Sequence, residues 1–182
     1  MKSKGGKYNL RYDLVVCVES LSHFIFKLPR FRILNSLKSS YLKLFFGAII
    51  GKRVVFYPDI WLLTGRNLKL GDDVDLAYGV LLTTDGGLEI GDRTLIGYGT
   101  KILTGNHRIP ILPEKIFSAG HEKKPVKIGK DVWIGANCII LPGVSIGDNS
   151  VIAGGAVVTS NVESGKIYGG VPAREISSRV SQ

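Results

Sequence analysis

Three histidines, His23, His107 and His121, are the side chains in this 182-residue sequence best suited to move a proton near neutral pH. His107 closes the segment Thr104-Gly105-Asn106-His107 and is the candidate general base. A histidine beside a loop is, taken alone, an ordinary surface residue, so its place in the fold decides its role. His23 lies in a run with helical spacing and reads as a partly exposed packing residue, and His121 reads as solvent-exposed in a loop. Arg174, in the run Gly169-Gly170-Val171-Pro172-Ala173-Arg174, carries a guanidinium that suits bidentate bonding to phosphate. Asp85-Gly86-Gly87 offers a carboxylate and is equally a turn signal. Cys17 and Cys138 are far apart, and no CxxC or Cys/His cluster argues for a metal; both read as buried thiols in a reducing cytoplasm.

These residues must be held by a repeat. Steps of six from Ile128 land on Ile134, Ile140, Ile146, Ile152 and Val158, all branched aliphatics. Four residues after each stands a small or β-branched one: Val132, Cys138, Val144, Ser150, Ala156 and Val162. The same phase gives trios Ile50-Phe56-Leu62, Leu70-Leu76-Leu82 and Ile90-Ile96-Ile102 upstream, making five coils of three hexads. Each hexad is a short strand plus a turn, and three close a triangular coil. The aliphatic points inward, and glycine relieves strain at corners. The fold expected is all-β: a parallel β-helix of about five coils spanning 49–163. The large aromatic Trp133 sits at an outward hexad position, which suggests a contact.

Three segments break the period. Residues 1–48 form a basic N-terminal segment: Leu14, Val18, Leu21, Ile25 and Leu28 predict a helix before Pro29, and Leu34, Leu37, Tyr41 and Leu44 a second. Residues 108–127 interrupt the coils as a long loop, and 164–182 form a tail with a turn and a short C-terminal helix. Of the net charge of +9, residues 1–49 hold +7, from nine basic and two acidic residues; fifteen basic and thirteen acidic residues leave +2 for the rest. Such asymmetry points to an anionic partner such as a membrane surface, or to a basic cap on the apolar end of the β-helix. No basic stripe follows the repeat, which disfavours nucleic acid. The longest N-terminal apolar run, Leu44 to Ile50, is far short of the ~20 residues that span a bilayer. Asp13, Glu19 and His23 interrupt any signal-peptide core, so the expected location is the cytoplasm, with peripheral contact to the inner membrane as an added role.

The segment IGDRTLIGYGTKILTGNH, followed after the loop by KPVKIGKDVWIGANCIILPGVSIGDNSVIAGGAVVT, resembles the hexapeptide-repeat acyltransferases, in the branch of maltose, galactoside and polysaccharide O-acetyltransferases. The resemblance covers roughly residues 68–176 and implies a left-handed β-helix, acetyl-CoA as co-substrate, no metal, and a homotrimer with sites between subunits. It makes His107 the general base. It sets Trp133, Ala136, Gly154 and Thr159 along the pantetheine arm, an oxyanion donor near Gly135-Ala136, and Arg174 on a cofactor phosphate. Ser160 and Ser177 stand where the family often has further basic residues, which leaves Lys166 or Arg179 to assist. Asp85 matches a carboxylate that holds sugar hydroxyls, whereas Ala77 and Asp75 replace a pocket Asn and Tyr of the galactoside-type enzymes.

The implied activity is O-acetylation of a sugar hydroxyl in a surface polysaccharide or its lipid-linked precursor. Amino-sugar N-acetylation and antibiotic acetylation use the same base and stay open. A non-catalytic scaffold need not carry His107, Trp133 and Arg174 together. Serine acetyltransferase is disfavoured by the absence of that branch's long helical domain. A γ-class carbonic anhydrase needs three histidine ligands, and outside the N-terminal segment only His107 and His121 exist.

Overall fold

The computed structural model describes residues 10–63 and 65–179. Two helices, α1 (Leu10–Phe26) and α2 (Arg32–Phe46), precede the repeat. Coil one is β1 (Ile49–Ile50), β2 (Val55–Phe56) and β3 (Trp61–Leu63); coil two is β4 (Leu68–Leu70), β5 (Asp75–Leu76) and β6 (Leu81–Thr83). Coil three is β7 (Leu88–Ile90), β8 (Leu95–Ile96) and β9 (Lys101–Ile102). From it projects a hairpin, β10 (Gly105–His107) and β11 (His121–Lys123), with the single-turn helix α3 (Ile116–Ala119) between. Coil four is β12 (Val126–Ile128), β13 (Trp133–Ile134) and β14 (Ile139–Ile140); coil five is β15 (Ser145–Ile146), β16 (Val151–Ile152) and β17 (Val157–Val158). The chain ends in β18 (Lys166–Gly169) and β19 (Arg174–Ser178).

Like strands of successive coils stack into three parallel faces. The first face is β1-β4-β7-β12-β15, the second runs from β2 through β5, β8, β13 and β16, and the third is β3-β6-β9-β14-β17. Register follows the hexad count: Ile50, Leu70, Ile90, Ile128 and Ile146 are partners in turn, and all are buried. Where two extra residues lengthen a coil, Leu68 and Leu88 fill the corner that Val144 fills in coil four. Buried corner hydroxyls are satisfied: Thr100 Oγ1 donates to the Gly135 carbonyl at 2.8 Å and accepts from the Cys138 N–H at 3.1 Å.

Both ends of the prism need caps, because an end coil exposes a row of unpaired backbone groups. At the first coil α2 supplies them. Asn35 Oδ1 accepts from the Phe56 N–H at 3.2 Å, and the Lys38 ammonium donates to the carbonyls of Phe56 and Leu28 at 3.1 and 2.7 Å. The buried face of α2 is therefore Asn35, Lys38 and Leu42, while Leu37 and Leu44, whose spacing marked the helix, are exposed. Likewise α1 buries Ser22 and Phe26, the latter edge-on to Phe56 at 5.4 Å between centroids, and exposes Leu14 and Leu21.

The far end differs from the short helix expected after the turn. There β18 pairs in parallel with β16 as part of a sixth coil, and β19 folds back antiparallel on it. Gly169-Gly170 and Pro172 are poor helix formers, whereas an extended chain gives the open edge of β16 its partners. The Ala153 N–H, for example, donates to the Tyr168 carbonyl at 2.8 Å.

Candidate active site

His107 is placed by a small hydroxyl cluster at the edge between the third and first faces. Thr104, fully buried, accepts at Oγ1 from the Gly86 N–H (3.1 Å) and donates to the Thr83 carbonyl (3.0 Å), while its own N–H donates to Thr83 Oγ1 (2.7 Å). A Cβ at Gly86 would lie 2.2 Å from the Thr104 carbonyl oxygen, so only glycine lets the turn after Asp85 come so close. Three residues beyond Thr104 the hairpin sets His107 directly opposite His121, with ring centroids 4.2 Å apart. The hairpin is tied down by Lys123 on the Asp85 carboxylate at 3.0 Å and by the Lys124 N–H on the Thr104 carbonyl at 2.9 Å.

These residues line one open cleft of about 530 Å³, with Asp85 and Lys123 on one side, His107 and His121 on another, and Glu19 reaching in from α1. The arrangement offers a base, a carboxylate to orient hydroxyls, and an ammonium that fixes the carboxylate. Sequence reasoning missed His121, Glu19 and Lys123 as members. Their positions depend on a hairpin closed by a thirteen-residue connection and on docking of a helix, neither of which has a local signature. Asp75 does not line this cleft. It stands on the outer side of the second face, where burial raises its pKa and the Arg30 guanidinium opposes that rise.

The candidate cofactor residues divide between two edges. Trp133 lies on the second face, 55% exposed, beside Leu95 in register. Gly135 and Ala136 form the following corner, and Gly154 lies above them in coil five: a Cβ on Gly135 would fall 2.6 Å from the Gly154 nitrogen. The Gly135 N–H donates to the Ile152 carbonyl at 2.8 Å and so is not free to serve as an oxyanion donor; the Ala136 N–H lies outside the ladder, between that bond and the one from Asn137 to Tyr98. Arg174, exposed, pairs with Gly169 at the end of β18, and its guanidinium bonds only its neighbour's carbonyl among the described residues. Lys166 is held by Glu175 at 2.8 Å and Arg179 by the Asn149 carbonyl at 3.2 Å, so neither is idle. Thr159 stands on the other edge. It tops the column of Leu103 and Leu141, two coil spacings, about 10 Å, beyond the corner that carries His107.

Comparison with known proteins bears on this geometry. The family model for the hexapeptide repeat of succinyl-transferase matches residues 125–160. The putative colanic acid biosynthesis acetyltransferase WcaF of Escherichia coli (strain K12) is 30% identical over 141 residues, 78% of this chain and 75% of the relative. This chain belongs to the hexapeptide-repeat acetyltransferase family. The galactoside O-acetyltransferase of Escherichia coli (strain K12) is 32% identical over 129 residues, 71% of this chain, so the chain spans 63% of that relative's length. A hexapeptide-repeat acetyltransferase of Vibrio cholerae O1 biovar eltor, solved with acetyl coenzyme A, superposes with TM-score 0.79 at 27% identity, over 95% of this chain and 91% of that one. The prism is thus the left-handed β-helix of the hexapeptide acetyltransferases, with His107 at the mouth of its inserted hairpin.

Proposed function

We propose that this chain is an acetyl-CoA-dependent O-acetyltransferase of a sugar hydroxyl in a surface polysaccharide or lipid-linked glycan, acting in the cytoplasm against the inner membrane. The observation that carries the reading is the cleft that joins His107 to Asp85 on a hexapeptide-repeat prism. Asp85 accepts hydrogen bonds from neighbouring sugar hydroxyls and aligns the acceptor. His107 takes the proton of the attacking hydroxyl as its oxygen bonds to the thioester carbonyl carbon. The carbon–sulfur bond then breaks, and the proton returns from His107 to the departing thiolate. His121, whose ring lies tilted against that of His107, limits the rotation of the His107 ring. The relationship to WcaF supports a polysaccharide acceptor.

The active unit is a homotrimer. Within one chain, His107 and, two coils on, Thr159 lie on the edge between the third and first faces, while Ala136 and Gly154 follow the edge between the second and third, with Trp133 on the second face and Arg174 on β19 of the same sheet. A base and a cofactor groove on different edges of one prism meet when neighbouring prisms pack side by side. The test incubates purified protein with acetyl-CoA and a panel of free sugars, amino sugars and lipid-linked glycans, and follows thiol release. Acceptor-dependent release that vanishes in His107→Ala supports the reading; amine-only acceptors, or release unaffected by that substitution, sink it.

A further inference from the structure

A second cleft, of about 760 Å³, lies between α2 and the first coil, well away from His107. On its helical side Arg32, Ser36, Ser39, Ser40 and Lys43 recur at intervals of three and four and form one stripe. On the other side Lys52 and Arg53 project from the corner between β1 and β2. Arg53 is paired with Asp73, and the Asp72 carboxylate accepts from the Lys52 N–H, so the cleft is not free of acids nearby. Arg30, at one end, rests on the Tyr57 ring and bonds its hydroxyl. Arg32, Lys43 and Lys52 have no carboxylate partner among the described residues. Three cations converging on serine hydroxyls are the donor set of a phosphate site.

The rest of α2 shows where that phosphate comes from. The next stripe round the helix, Ile33, Leu37 and Leu44, is 71%, 58% and 81% exposed, and Phe31 and Phe45 beside it are 66% and 73% exposed. The capping contacts of Asn35 and Lys38 do not use these side chains. A helix with one cationic stripe and one bare apolar stripe is built to lie in a bilayer interface. No helix among the described residues is long and apolar enough to cross a membrane.

We propose that this cleft binds the phosphate of an anionic lipid headgroup while the apolar stripe of α2 enters the interface, which seats the prism on the membrane. This gives a site to the membrane contact proposed above and is independent of the acetyl-transfer reading.

The experiment measures co-sedimentation of the full chain with vesicles of phosphatidylglycerol and phosphatidylcholine, and with phosphatidylcholine alone. Binding should require phosphatidylglycerol. It should fall at least tenfold in the triple variant Arg32→Gln/Lys43→Gln/Lys52→Gln, but change less than twofold in the charge-matched control Lys101→Gln/Lys115→Gln/Lys127→Gln. A second variant, Leu37→Ser/Leu44→Ser, should weaken vesicle binding yet leave calorimetric binding of inorganic pyrophosphate intact. Equal losses in the two charge triples would show unspecific attraction and overturn the proposal. So would pyrophosphate binding without vesicle binding, since the site would then take a soluble phosphate. Acetylation of a free sugar, measured in parallel without lipid, reports on the catalytic reading separately.

Discussion

At the scale of single residues, His107 and its neighbours make separable predictions. His107→Ala should lower kcat by about 10²–10⁴-fold with little change in acetyl-CoA affinity, since a positioned base contributes that much. Unchanged turnover in the purified variant would remove it from the mechanism. His121 stands opposite His107 in the hairpin with its ring against the His107 ring, which makes it a positioning residue. His121→Ala should lower kcat severalfold while KM for acetyl-CoA stays put, and His121→Phe, which keeps a flat partner, should recover most of the loss. If Phe and Ala behave alike, the ring contact is not its role. The Arg174 side chain is exposed, and its guanidinium bonds only the Ala173 carbonyl among the described residues. Arg174→Ala should weaken acetyl-CoA roughly tenfold or more, and the analogue without the 3′-phosphate much less, since a charged hydrogen bond is worth about 1.5–3 kcal/mol. Equal weakening of both by calorimetry would mean that Arg174 does not touch that phosphate.

At the scale of elements, the decisive junction is α2 on the first coil. Burial lowers the Lys38 pKa from 10.5 to about 8. Between those values the unfolded chain holds a proton that the folded chain has released, so stability rises with pH across that window. The full shift corresponds to roughly 3 kcal/mol, and solvent relaxation around the ammonium leaves about 1–3 kcal/mol to be measured. Denaturant titrations of the wild type and of Lys38→Met at pH near 7.5 and near 10 isolate this term, because every other lysine and tyrosine cancels in the difference. The wild type should gain on the variant as pH rises. A constant difference would mean that Lys38 is solvated in the folded chain. The same junction explains why polar residues point inward on this helix. The carbonyl and N–H of Phe56 sit on the open end of the prism, and an apolar cap would leave both without partners.

At the scale of the whole molecule, the proposed division of the site between two edges predicts complementation. Trimers assembled from a mixture of His107→Ala and Arg174→Ala chains should regain activity at low acetyl-CoA concentration, because one interface in such a trimer pairs an intact His107 edge with an intact Arg174 edge. No gain on mixing would mean that both residues serve one site from one chain. Mass in solution by light scattering checks the assembly itself, and a fully active monomer would refute the interface site.

The sequence by itself determined the prism, because an inward aliphatic every sixth residue is a local, repeated demand that each coil meets in the same way, from Ile50 to Val158. It also placed His107 at the end of a coil, where the inserted segment leaves the prism. Tertiary structure alone decided what depends on contacts between distant segments. His121 faces His107 only because the hairpin closes in one register, and Glu19 reaches the cleft only because α1 docks on β3. Spacing located α1 and α2 but not their buried faces, because hydrophobic periodicity reports which side of a helix avoids water, whereas these helices must also supply polar partners to an open backbone edge. The tail was expected to end in a helix, but its backbone joined β16, because an unpaired sheet edge outweighs the weak local preference of a few residues.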